Sequence, residues 1–181
     1  MKKLFLIIAM VLTIGVVKAQ DYEVVDGAIR MERIYENTGM SVEDCYIKMA
    51  THFANVMNNS NETCKVNTQT KLVYKFIADA ANINKGLGVY HTYFAEYDLE
   101  ISIKDNRMRV VITTSKVGSN DVLLCEYNPS TTYPVVAEHN AWDTGVTKKQ
   151  AQIIFDGIMK SMSSMINGID KALASVSDDE W

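Results

Sequence analysis

The residues best suited to chemistry lie late in the chain. His139 has Glu138 beside it and Asp143 four positions on, the grouping of imidazole and carboxylate that general bases use in hydrolysis. Cys125 and Ser130 are the nucleophile candidates near it. Neither stands in a nucleophile elbow or a papain-like context. A solvated polar loop accounts for Glu138, His139 and Asp143 equally well, so no catalytic residue is assigned. The default expectation is a non-catalytic protein, with a hydrolase working through the His139 region as the minor alternative. Metal chemistry fares no better, because His91 or His139 with Glu96 offers no helix-face or hairpin spacing for ligands. Glu96, Asp98 and Glu100 do share one face of an alternating segment. Successive carboxylates there stand about 7 Å apart along a strand, too far for one Ca²⁺ to hold all three. A solvated face paired with Arg107 and Arg109 is the simpler account. No metal and no cofactor is expected.

The elements that must position these residues are legible in the apolar pattern. From Val89 to Lys104 one parity reads Val, His, Tyr, Ala, Tyr, Leu, Ile, Ile, and the other is mostly polar. That alternation predicts a half-buried strand. Asp105 and Asn106 both tolerate the positive φ of a primed two-residue turn. With that turn Lys104 faces Arg107, Ile103 faces Met108, Ile101 faces Val110 and Leu99 faces Ile112, and a one-residue slip would destroy the apolar match.

Upstream, residues 28–35 read as a strand, followed by a turn at Gly39 and Met40. Ser41 with Asp44 resembles a capping box and opens a helix to about Met57, whose apolar stripe runs through Cys45, Met49 and Phe53. His52 sits at the edge of that stripe as a half-exposed polar residue. Residues 64–70 and 71–78 read as two further strands. Residues 116–146 have no clear period and are expected to form a long loop or extra short strands. Thr147 and Gln150 form a second capping box ahead of a long amphipathic helix from Lys148 to about Ser175, and 177–181 is an acidic tail. Met159, Met162 and Met165 lie on its apolar stripe and read as plain core. The order β-α-β-β-β-β-α, with one apolar face per element, predicts a two-layer α+β fold, an antiparallel sheet with two helices on one face. The other face is left open and carries Tyr90, Phe94, Glu96, Asp98, Glu100, Arg107 and Arg109.

The two ends of the chain and its charge bound the surroundings. Lys2 and Lys3, an apolar run from Leu4 to Val17 and a small residue at Ala19 form the three regions of a signal peptide. Residues 1–19 are expected to be removed, leaving 20–181 as one domain that is exported, periplasmic or secreted, with no transmembrane segment. Loss of Lys2, Lys3 and Lys18 takes the net charge from −4 to −7, which gives no reason to bind nucleic acid. Cys45, Cys64 and Cys125 are an odd set, so at most one bridge can form among them.

The segment Tyr-Glu-Asn-Thr-Gly-Met-Ser-Val-Glu at 35–43 and the turn Lys-Asp-Asn-Arg-Met-Arg at 104–109 make residues 28–115 resemble a family of exported bacterial domains of unknown function. Its members have a TATA-box-binding-protein-like fold. In that family the second motif has Gly where Asn106 stands and an aromatic where Met108 stands, and a Gly-containing turn joins the middle strands, which residues 64–80 lack. The resemblance implies a fold and an exported address but no activity, and the DNA-binding use of the fold relies on a basic surface this chain lacks. The expected role is a binding module that docks an unknown protein, glycan or lipid through the open face or the 116–146 loop. Tyr90 and Phe94 would anchor it and Arg107 and Arg109 would be charge partners. The alternative is a helix-grip-like carrier holding an apolar ligand between the sheet and the last helix, for which the Met159, Met162, Met165 run would suit a deformable pocket.

Overall fold

A computed structural model of the chain describes residues 22–25, 28–57, 60–119, 122–126 and 148–175. The expected leader at 1–19, Ser130, the Glu138–His139–Asp143 cluster, the Thr147 cap and the 177–181 tail lie outside these residues, as does the side chain of Cys125.

The sheet grows from the hairpin. β5 (Val89–Lys104) turns at Asp105–Asn106 into β6 (Arg107–Ser119). The register is Lys104↔Arg107, Ile103↔Met108, Ile101↔Val110 and Leu99↔Ile112, as the alternation predicts. Only Asn106 takes a positive φ, 56°. Asp105 does not, so the turn is neither primed type, since both need the first central residue at positive φ. β2 (Ala28–Glu36) lies on the other side of β6, and β1 (Tyr22–Val25) pairs outside β2. On the far side of β5 come β4 (Lys71–Gly86) and then β3 (Cys64–Thr68). All pairings are antiparallel, in the order β1-β2-β6-β5-β4-β3.

Three differences from the sequence expectation have local causes. β4 runs on to Gly86, because bulges near Ala80 and Lys85 break its alternation without ending the strand. The glycine turn missing from residues 64–80 sits later, at Leu87–Gly88, where both residues take positive φ. Residues 116–119 continue β6 past a bulge, and β7 (Val122–Glu126) pairs back on them. The first part of 116–146 is therefore extra strand, the second of the two forms expected for it.

The helices cover one face. In α1 (Val42–Val56) the Ser41 hydroxyl accepts from the Asp44 N–H, which caps the first turn. Cys45, Met49 and Phe53 are buried against the sheet. A single turn, α2 (Ser60–Thr63), leads into β3, and α3 (Lys148–Ala174) buries Ala151, Ile154, Ile158, Met162, Ile166 and Ile169. Opposite them the sheet contributes Ile29, Met31, Leu72, Leu99, Ile101 and Ile112, each about 1.5–3 kcal/mol of burial. The sheet curls around α3. Phe155 meets the Tyr22 ring of β1 at 5.3 Å. Gly157 lies on β4, where an added Cβ would sit 1.7 Å from the Ala80 carbonyl oxygen. In a flat sheet those strands stand about 19 Å apart, wider than a helix.

Candidate functional site

The open face is a lattice of cross-strand ion pairs. Arg109 makes a two-armed contact with Glu32, at 2.7 and 3.0 Å, and Arg107 meets Glu36 at 2.8 Å. Arg30 bridges Glu23 and Glu32. The hydrogen bonds from Arg109 hold the Glu32 carboxyl below its ordinary range. Lys71 meets Glu100 at 3.1 Å, and Lys75 meets Glu96 at 3.1 Å and Asp98 at 3.7 Å. Lys116 reaches Glu96 at 3.6 Å. The expected pairing of these carboxylates with Arg107 and Arg109 is thus corrected. β6 lies between β2 and β5, its two arginines turn to β2, and the β5 carboxylates turn to lysines of β4 and β6. Tyr90 is 61% exposed, Phe94 is half-buried, and both stand at the β5 end away from the arginines.

At one end of the sheet the two sequence motifs meet. The Thr38 N–H donates to the Asn106 carbonyl at 3.2 Å, and the Gly39 N–H donates to Asn106 Oδ1 at 2.7 Å. The Asn106 N–H in turn donates to the Met40 carbonyl at 3.4 Å. Asn37 and Gly39 take positive φ in the same loop. Tyr35 joins this end to α3 by donating to Asp170 Oδ1 at 2.7 Å, while Arg33 reaches Asp170 at 3.5 Å. Burial pushes the Tyr35 hydroxyl far above the ordinary phenol range, and Asp170 adds to the effect. The motifs form one closed loop cluster with a structural role.

The other end holds a groove. α1 and α3 run antiparallel, with Lys48 Nζ donating to the Ser175 carbonyl and His52 beside Gly168. Beside this contact, where α1 ends, a groove of about 840 Å³ opens over β4. That is the size of a small-molecule seat. Its walls are Phe53 and Met57 of α1 and Met165 of α3, and Phe76 and Ala78 form its floor. Glu62, Lys65, Lys75 and Glu96 stand at its rim. His52 lies edge-on to Phe53 at 4.9 Å, and burial pushes its imidazole below the ordinary value. An added Cβ at Gly168 would sit 3.2 Å from His52 Nε2, so the glycine keeps this wall open. Hydrogen bonding to Glu96 holds the Lys75 ammonium above its ordinary value.

Of the open-face residues expected from sequence the groove joins only Glu96, and of the methionines of the carrier alternative it joins Met165. Its walls have the types and spacing of a core stripe, and Met165, unlike fully buried Met162, lines the gap. Gly168 within the long amphipathic α3, one turn from Met165, is the signal that could have marked it. Among the described residues no three His, Cys, Asp or Glu side chains could hold a metal ion, and no helix is long and apolar enough to cross a membrane.

No family model matches the sequence, and no curated protein is similar to it. Solved structures are. A DUF4468 family protein from Bacteroides ovatus superposes with a TM-score of 0.60 at 10% identity, over 87% of this chain and 92% of that one. A TBP-like protein from Parabacteroides distasonis gives 0.59 at 11% identity, over 84% of this chain and 97% of that one. Identity this low speaks for the backbone alone. With its curled antiparallel sheet and two covering helices, the chain has the TBP-like α+β fold of these two bacterial proteins.

Proposed function

We propose that the protein is an exported, non-catalytic binding module whose ligand seat is the groove between α1, α3 and β4. What enters it is the apolar part of a lipid-like molecule. The observation that carries this reading is the gap itself, an opening of about 840 Å³ lined by Phe53, Met57, Phe76 and Met165. Methionines suit such walls, since their unbranched chains re-form around different apolar shapes. The rim charges leave room for a polar head group at the mouth. Docking of a protein or glycan on the sheet face is the second reading, favoured by the exposure of Tyr90. It has less support from the charged residues of that face, which already pair across the strands.

The test is the melting temperature of the purified protein against fatty acids and alcohols of increasing chain length. A ligand at a hundredfold excess over its Kd adds about 2.7 kcal/mol. The rise should vanish in Gly168→Leu, which fills the groove against His52. No rise with any apolar chain, or an undiminished rise in Gly168→Leu, refutes the reading.

A further inference from the structure

β4 has one short stretch of free edge. β3 leaves it at Cys64↔Tyr74, and the bulge at Ala80 breaks its line between Asp79 and Ala81. Between these points, among the described residues, Lys75–Asp79 has no strand on the side away from β5. The direction of its backbone groups follows from the register. Ile103 donates its N–H to the Thr70 carbonyl at 2.8 Å, on the β4 side. Ile101, Leu99 and Tyr97 therefore also turn toward β4, and their partners Leu72, Tyr74 and Phe76 bond to β5. Lys75, Ile77 and Asp79 must then aim N–H and C=O outward. Ser161 Oγ, 3.5 Å from the Asp79 carbonyl, agrees with that direction and leaves its second lone pair free.

The side chains of this window are their own complement. Lys75, Ile77 and Asp79 share the outer face, and Ile77 is 56% exposed, unusual for a large apolar residue on an open edge. An antiparallel neighbour of the same sequence aligned on Ile77 sets Ile77 against Ile77, Lys75 against Asp79 and Asp79 against Lys75. On the inner face Phe76 meets Ala78. That is the reciprocal pairing a two-fold contact requires. Glu96 and Asp98 lie on the other flank of Lys75, so a second copy's Asp79 would extend an existing row of alternating charge. We propose that a second copy of this chain pairs here, β4 to β4, making one sheet continuous through both copies. The inference does not rest on the groove being a ligand seat, but Lys75, Phe76, Ile77 and Ala78 also line that groove, so a paired second copy would cover its β4 side. Because β3 and the bulge bound the window, the contact is small and the dimer reversible.

Sedimentation equilibrium over a wide concentration range should show the wild type passing from monomer to dimer. Asp79→Lys opposes Lys to Lys twice and should stay monomeric where the wild type is dimeric, and Lys75→Glu should do the same by opposing Glu to Asp. Mixing the two variants should restore a dimer, since every opposed pair is then of unlike charge. Lys75→Glu also brings a third acid beside Glu96 and Asp98 and could unfold the chain, so Ile77→Cys supplies an independent arm. Directly opposed residues in such a pair have Cα atoms about 5.5 Å apart, within disulfide reach. Ile77→Cys should cross-link on mild oxidation, and Asp79→Lys in the same chain should suppress it. A wild type that stays monomeric, an Asp79→Lys that dimerises undiminished, or an Ile77→Cys that does not cross-link overturns the proposal.

Discussion

The two ends of α1 rest on the same sheet and are built to opposite purposes. At the first end Ser41 caps the helix, and Cys45 Sγ lies 3.7 Å from Met108 Sδ. The Thr38–Met40 loop is hydrogen-bonded to Asn106 on both flanks. At the second end Val56 is 57% exposed, no basic residue lies in the last turn, and the helix borders the groove. The sheet decides the difference. Below the first end it is complete from β2 to β3, whereas below the second β3 has stopped and β4 is an edge. Stability is thus concentrated where the strands are paired on both sides, and the less paired end is left open for contact.

The largest expected effect is at the complete end. Ile101 is fully buried, with Val110 and Leu72 as its cross-strand partners. Ile101→Asp buries a carboxylate with no partner, and the domain should unfold outright. Circular dichroism retaining a wild-type melting transition would show that the inward face is wrongly identified. Met165→Asp at the groove wall, where water has access, should leave a folded protein.

How much of this was legible follows the same division. The hairpin register and the α3 stripe could be read because each rests on regular periodicity over many residues, and the Ser41 cap because it is a local spacing of three residues. β1 could not, since all four of its residues are exposed and carry no alternation. The far half of β4 and the end of β6 were hidden by bulges, which shift the apolar parity without any marker in composition. The groove was hidden for another reason. Phe53, Met57, Phe76 and Met165 have the same types and spacing as core residues, and Phe53 and Phe76 do pack on Tyr74 and Tyr97, so only the tertiary arrangement shows that they also line a gap. The face residues Glu96, Asp98, Glu100, Arg107 and Arg109 were placed correctly on the open side, but their partners were not. Sequence gives the parity of a strand, whereas the neighbour on each side depends on strand order.

The next effect concerns the loop cluster. Asn106 holds a positive φ of 56° and its side chain accepts from Gly39. Asn106→Ala loses both features and should cost about 2 kcal/mol, the sum of left-handed strain and one hydrogen bond. Asn106→Gly keeps the backbone freedom and loses only the bond, about 1 kcal/mol. Urea denaturation should rank them in that order. Equal losses would mean that the left-handed turn contributes nothing and the contact with Gly39 everything.

The smallest effect belongs to the open end and separates from the rest by pH. Burial lowers the His52 imidazole below its ordinary value of 6.5, so the unfolded chain takes up a proton there before the folded one does. Stability therefore falls as pH drops from about 6.5 through the lowered value, and is flat once both states are protonated. Glu32 behaves likewise further down. Its hydrogen bond to Arg109 lowers the carboxyl below 4.5, so its contribution is present above that pH and is lost as the folded carboxyl is protonated. The urea midpoint against pH should show a shallow step starting near neutrality and a second one in acid. His52→Gln should erase the first and leave the second. A first step that survives His52→Gln would place its origin outside the groove. An apolar ligand in the groove displaces the water that eases protonation of His52, so it should deepen the first step and leave the acid step of the ion-paired face unchanged.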